Sequence, residues 1–352
     1  MEGMNTEIVT IDPNNIDDAQ MARAGRLLAD GQLVAFPTET VYGLGGDALD
    51  PEASARIYAA KGRPSDNPLI VHIADFADLE KIAQEVPDAA RKLADAFWPG
   101  PLTMIVRKNN LVPYATTGGM DTVAIRMPNH PVALALIRAS GCMIAAPSAN
   151  TSGRPSPTRA QHVYEDLQGK IPMILDGGEV GIGIESTIID LTEEIPMILR
   201  PGYITKEMLS DVLGQQVQID PGIIAADDTR KPKAPGMKYK HYAPKAEMTI
   251  VEGQTEAVID YINQAVVKAE GNGKVAVIAA EETRSRYHAD IVLSMGHRSR
   301  EEEIARHLYA ILRECDELEV TTIYSESFST PRIGNAIMNR LLKAAGHHVI
   351  QV

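Results

Sequence analysis

Only two cysteines, Cys142 and Cys315, occur in the 352 residues, one in each half of the chain. That scarcity excludes a disulfide framework, and without any C-x-x-C pair there is no zinc spacing. No apolar run approaches the ~18 residues a membrane helix needs, and the opening MEGMNTEIVTIDPNN lacks the cation-then-apolar build of a signal peptide. Cytoplasmic residence without membrane attachment is expected. Positive charge is short as well: 34 Lys and Arg against 47 Asp and Glu leave a formal net charge of −13. That balance opposes the broad phosphate-neutralising surface behind nucleic-acid affinity, so no stable binding to RNA is expected. Aromatics make up 5% of the chain and apolar residues 44%. The length exceeds the roughly 100–200 residues of one domain, so two domains, each with its own core, are anticipated.

The apolar patches alternate between strand-like and helix-like spacing. A helix is predicted from about Asp18, with Met21, Ala24, Leu27 and Leu28 on one face and Gly31 as its stop. LVAF follows as a short strand, and a second helix through ARIYAAK ends at Gly62, where Pro64 blocks continuation. LIVHI, LTMIVRK, TVAIRMP and CMIAAPS read as strands, with HPVALALIRASG as a helix between the last two. MILDGG, ESTIIDLT and MILRPG then follow with little between them. Parallel crossovers need about a dozen residues, so that crowding implies some antiparallel pairing and a mixed α/β sheet. From Pro221 to about Lys245 the chain becomes PGIIAADDTRKPKAPGMKYKHYAPK, a linker by composition. MTIVEG, KVAVIAA and TTIYSES alternate with helices beyond it, one from about Ser299 to Cys315 and a closing one from Arg332. That βα alternation reads as a small, largely parallel α/β domain.

Several stretches carry chemistry. In FPTETVYGLGGDA, residues 36–48, Gly43, Gly45 and Ala48 formally satisfy the dinucleotide pattern G-x-G-x-x-A. Pro37 interrupts the preceding strand and Asp66 sits in a Pro-flanked loop, so the context is poor for that fold. The alternative is a glycine-rich turn holding Thr38, Glu39, Thr40 and Tyr42. In KGRPSDNPLIVHI, residues 61–73, Lys61 and Arg63 lie at a helix end, where cations complement the macrodipole. Together with the Asn67 amide they also match phosphate oxygens. His72, flanked by Val71 and Ile73, is either a satisfied core residue or faces the same cavity. Arg126 interrupts the apolar strand of DTVAIRMP; a buried guanidinium demands an anion, either an internal carboxylate or a bound one. AAPSANTSGRPSPT supplies hydroxyls and amides after a strand, fit for a nucleotide or for capped turns. Cys142, just before it, is assigned to the core. GEVGIGIES lacks the Lys and Ser/Thr ending of a P-loop.

Their order, TETVYGLG, KGRPSDNPLIVH, FWPGPLT, AIRMP, APSAN with SG, ESTIID and LRPG, resembles the YrdC-like family throughout residues 15–215. The KHYAP linker and terminal α/β domain resemble the family's long, two-domain form. The resemblance implies a YrdC-like twisted, mixed parallel/antiparallel sheet with flanking helices over residues 1–215. It implies a linker crossing the active site at 216–246 and a smaller Rossmann-like domain at 247–352. The activity it implies is synthesis of L-threonylcarbamoyl-AMP and pyrophosphate from L-threonine, bicarbonate and ATP, supplying a tRNA threonylcarbamoyl transferase complex that modifies the adenosine beside certain anticodons. ATP would enter as substrate with Mg2+, with no bound organic cofactor and no dedicated metal site.

Residue by residue, the resemblance places Lys61, Arg63, Asn67, Thr122, Ser148, Asn150, Ser156 and Arg200 about ATP, with Lys61 and Arg63 catalytic. His241 and Tyr242 of the linker would close over it. Thr40, His72 and Arg126 would hold threonine, Arg126 against its carboxylate, with backbone near Ala146, where the family often has a hydroxyl residue. Two other readings are an ATP-dependent carbamoyl transfer of the hydrogenase-maturation kind and an RNA-binding module. The first uses zinc-finger modules that this chain lacks, and the second is opposed by the charge.

Overall fold

The computed structural model describes residues 4–223, 234, 241–269 and 271–352. Two compact units result: of the described residues, the first takes 4–152, 156–181, 185–223 and 234, and the second takes Gly153–Pro155, Ile182–Ile184 and 241 onward.

Eleven strands build the sheet of the first unit: β1 (Glu7–Thr10), β2 (Val34–Phe36), β3 (Gly43–Asp47), β4 (Ile70–His72), β5 (Leu102–Arg107), β6 (Thr122–Arg126), β7 (Ile144–Ala145), β8 (Met173–Asp176), β9 (Thr187–Asp190), β10 (Met197–Arg200) and β11 (Gln218–Ile219). Their spatial order is β1-β8-β2-β3-β7-β4-β6-β5-β9-β10-β11. Pairing is mixed, as the short connections require: β4 and β6 run parallel, β5 and β6 antiparallel, and β9 and β10 form the antiparallel pair expected from ESTIIDLT and MILRPG. Of the segment expected as linker, Gln218–Ile219 pairs in parallel with β10 as an edge strand, and 224–233 and 235–240 lie outside the described residues.

Helix ends follow their sequence signals. Asp17 caps Asp18–Ala29 by accepting from Ala19 and Gln20 N–H, and its Met21, Ala24 and Leu28 face joins a core with Phe36, Leu136 and Ile137. Gly25 lets this helix meet Pro131–Ser140 closely: a Cβ there would come within 2.7 Å of the Ala139 carbonyl carbon. Pro51–Lys61 starts with an Asp50 cap and Pro at its first turn and ends on Gly62, left-handed at φ 61°. That helix end positions Lys61.

FPTETVYGLGGDA folds otherwise than its glycines suggest. Gly43–Asp47 is not a loop but strand β3, antiparallel to β2, and no helix begins at the glycines. A Cβ on Gly45 would approach Ile144 Cγ2 at 2.7 Å and Phe36 Cε1 at 2.9 Å, so the residue is small because the sheet faces are crowded. The dinucleotide pattern therefore has no phosphate loop behind it. Cys142 also departs from expectation, standing half-buried in the turn before β7 rather than in the core. Burial, then nearby Asp47, pushes its thiol up to about 11, which keeps it protonated and inert at neutral pH.

In the second unit β12 (Glu247–Glu252), β13 (Lys274–Ala279), β14 (Ile291–Ser294), β15 (Val320–Glu326) and β16 (Val349–Gln351) form an all-parallel sheet in the order β14-β13-β15-β12-β16. β14 and β16 add to the three strands anticipated from sequence. At the carboxyl end of β15, buried Glu326 accepts from Ala280 N, Tyr287 Oη and Arg298 Nη2 at 3.0, 2.6 and 2.6 Å, and from Thr283 Oγ1. No described helix is long and apolar enough to cross a membrane.

Candidate active site

Strand register brings together residues that lie far apart in sequence. Across β5, β6, β4 and β7, Thr103 stands opposite Arg126, Arg126 opposite His72, and His72 opposite Ile144. Residues directly opposite share a sheet face, so the polar interruptions of LIVHI and TVAIRMP become next neighbours. Arg126 is 4% exposed; its Nη1 donates to Thr40 Oγ1 at 3.0 Å, Nε reaches the Gly100 carbonyl at 3.4 Å, and Nη2 lies 2.7 Å from Glu39 Oε1. The internal carboxylate that a buried guanidinium calls for is Glu39. Thr40 is oriented in turn. Thr38 Oγ1 spends its one proton on the Val41 carbonyl at 2.6 Å, so across the 2.9 Å Thr38–Thr40 contact the Thr40 hydroxyl donates and keeps its lone pairs for Arg126.

His72 Nδ1 lies 3.0 Å from the Ile70 carbonyl, and its ring meets Phe36 edge-on with centroids 6.1 Å apart. Burial, and after it the Arg126 charge, lowers its pKa to about 3. It is a neutral imidazole at physiological pH.

Facing polar groups converge on the loop after β7. Lys61, buried, donates from Nζ to the carbonyls of Ser148 and Asn150, and Ser152 N–H returns a bond to the Lys61 carbonyl at 2.8 Å. Carbonyl dipoles thereby offset the desolvation of a buried ammonium. Arg63 donates to the carbonyls of Asn67 and Pro68 at 3.3 and 3.1 Å, closing the 63–68 turn. Asn67 is buried, and its Oδ1 has no hydrogen-bond partner among the described residues. Ser148 Oγ donates to Asn150 Oδ1 at 2.6 Å, and Ser156 Oγ to Glu185 Oε1 at 2.6 Å. The Ala146 N–H is committed to the Ile70 carbonyl at 2.9 Å. Thr122 opens β6, half-buried opposite Arg107.

Arg200, on β10, binds Ser186 twice, Nε to its carbonyl at 3.0 Å and Nη2 to its Oγ at 3.1 Å; that Oγ also lies 2.7 Å from Thr103 Oγ1. Sequence reasoning passed over Thr103, Glu185 and Ser186, and placed Thr38 and Glu39 in a glycine-rich turn without a site role. The signal for Glu39 was an acid between two threonines in TET, and for Ser186 a hydroxyl at the mouth of the apolar run STIID. Of the expected site residues, His241 and Tyr242 alone belong to the second unit, where Tyr242, at φ 63°, lies against Tyr309 with ring centroids 5.2 Å apart.

Two family models match the chain, one described as "Telomere recombination" (Sua5/YciO/YrdC) over residues 26–202 and one as "Threonylcarbamoyl-AMP synthase, C-terminal domain" over 204–346. The threonylcarbamoyl-AMP synthase of Bacillus subtilis is 50% identical over 341 residues, covering 97% of both chains. The chain belongs to the threonylcarbamoyl-AMP synthase family. The Schizosaccharomyces pombe member is 39% identical over 371 residues, covering 96% of this chain and 90% of its own. Among solved structures, Pyrococcus abyssi Sua5 complexed with L-threonine superposes with a TM-score of 0.93 at 49% identity, covering 98% of this chain and 99% of that one. The sequence resemblance and its mixed-sheet, two-domain expectation are thus borne out over the whole length.

Proposed function

We propose that the first unit joins L-threonine, bicarbonate and ATP into L-threonylcarbamoyl-AMP with release of pyrophosphate. The observation that carries this reading is the convergence of Thr40, His72 and Arg126, distant in sequence, around one buried guanidinium. Arg126 anchors the threonine carboxylate. Thr40 and neutral His72 offer hydrogen bonds without net charge, suited to a hydroxyl. The threonine amine attacks the bicarbonate carbon, water and a proton leave, and a carbamate oxygen then attacks the α-phosphorus of ATP while pyrophosphate departs. All bonds made and broken lie within the three substrates, so the reaction calls for positioning and charge neutralisation rather than a covalent enzyme intermediate or a bound organic cofactor.

Lys61 and Arg63 serve the phosphates, with Lys61 turning from the Ser148 and Asn150 carbonyls toward the anion. Asn67, Thr122, Ser148, Asn150, Ser156 and Arg200 complete the nucleotide site, and main chain at Ala146 contributes to the threonine side. His241 and Tyr242 join on the strength of the sequence resemblance. ATP enters as its magnesium complex, the ion riding in on the phosphates. The product passes, in the cytoplasm, to a tRNA threonylcarbamoyl transferase complex. Pyrophosphate release from ATP, measured with and without threonine and bicarbonate, tests the proposal: strict dependence on both is expected, and release indifferent to threonine overturns it.

A further inference from the structure

The Arg126–Glu39 pair is unusual for an internal ion pair. Both side chains are nearly enclosed, at 5% and 12% exposure, and Oε1 lies 2.7 Å from Nη2. Yet the contact is not aligned as a hydrogen bond, and among the described residues neither Glu39 carboxylate oxygen nor Arg126 Nη2 has a hydrogen-bond partner. A pair built only to hold the fold would satisfy those atoms, because enclosed charges without hydrogen bonds are costly. The two partners are also held unequally. Arg126 is gripped by Thr40 and Gly100. The turn carrying Glu39 is pinned through Thr38 Oγ1, which accepts from Thr40 and Val41 N–H at 3.1 and 3.2 Å. The Glu39 carboxylate itself accepts no hydrogen bond among the described residues; the Arg126 charge lies beside it and the His130 imidazole is within electrostatic reach.

A fixed cation beside an adjustable anion is the complement of a zwitterion. We propose that Glu39 is the receptor for the threonine ammonium and the acceptor of the proton the amine must lose. The inference rests on Arg126 as the carboxylate anchor. When the substrate carboxylate takes the guanidinium, Glu39 is displaced from it by like charge. An α-amino acid places its ammonium one carbon from that carboxylate, where the released Glu39 meets it. Carbamate formation then balances: R–NH3+ and HCO3− give R–NH–COO−, H2O and one H+, and that proton is taken by the Glu39 carboxylate and passed to solvent. Until threonine arrives, the same carboxylate keeps the enclosed guanidinium neutralised.

The test compares two ligands on the full-length protein by calorimetry: L-threonine, and 2,3-dihydroxybutanoate, which keeps the carboxylate and side chain but carries hydroxyl in place of ammonium. Glu39→Gln, close to isosteric, should weaken threonine binding ~10–100-fold, the worth of a charged hydrogen bond. It should leave the dihydroxy acid bound equally or better, since Glu39 no longer competes for Arg126. Glu39→Asp should recover part of the threonine affinity and part of kcat, which falls in Glu39→Gln even at saturating threonine. Equal loss for both ligands, the mark of a damaged site rather than of a lost ammonium contact, overturns the inference, and so does undiminished threonine binding, the mark of a mere counter-ion. Arg126→Ala separates the premise: if it leaves the dihydroxy acid bound as tightly as before, the anchor assignment fails, and Glu39 loses its role with it.

Discussion

Arg126 makes a heavy demand on the first unit, since it sits in an apolar sheet with three polar contacts and one charge to offset. Arg126→Ala should raise the threonine requirement by ~10–100-fold with little change in ATP requirement, as read from steady-state KM values. An unaltered threonine KM counts against the anchor. It should also lower the melting temperature, because Glu39 is left enclosed and unpaired. His72 gives a pH signature. Its folded pKa is near 3 against an ordinary 6.5, so below about pH 6.5 the unfolded chain binds a proton that the folded protein refuses. Stability present above that pH is lost as pH falls, at up to about 1.4 kcal/mol per pH unit from this group. His72→Gln should therefore show a shallower loss between pH 6 and 4 than the parent in denaturant titrations; parallel slopes would contradict the assignment. Both residues were conspicuous in the sequence as polar breaks in apolar runs. Glu39 was not, because an acid in a threonine-rich turn looks like ordinary surface until the fold encloses it.

At the scale of elements, β3 is the place where local reading and structure part. GLGGD has weak strand propensity and the spacing of a phosphate loop, yet it is paired on both sides, with β2 and β7. Its glycines are demanded by neighbours rather than by turn geometry. Gly45→Ala should destabilise by about 1–3 kcal/mol through overpacking against Ile144 and Phe36, seen as a lower melting temperature; a neutral result would show that those side chains yield. Elsewhere local signals sufficed. Gly31 and Gly62 marked helix ends because left-handed geometry is satisfied within a few residues.

For the molecule as a whole, the net charge of −13 and the family's small, mostly anionic substrates favour local cationic sites over a basic surface. Filter binding of bulk tRNA at about 150 mM salt should show no retention above an acidic control protein, and salt-dependent retention would revive an RNA-binding role. What the sequence by itself determined is what depends on near neighbours: the helices and most strands, the two-domain plan, the mixed sheet implied by short connections, and the ordered motifs that place the chain in its family. What only the tertiary structure decided is adjacency. Thr40, His72, Arg126 and Ser186 are separated by dozens of residues, and their meeting depends on which strands pair and in what register. A slip of one residue would turn His72 or Arg126 to the opposite face. That choice is made by burying the apolar faces of the whole sheet at once, a global sum that no single segment of the chain contains.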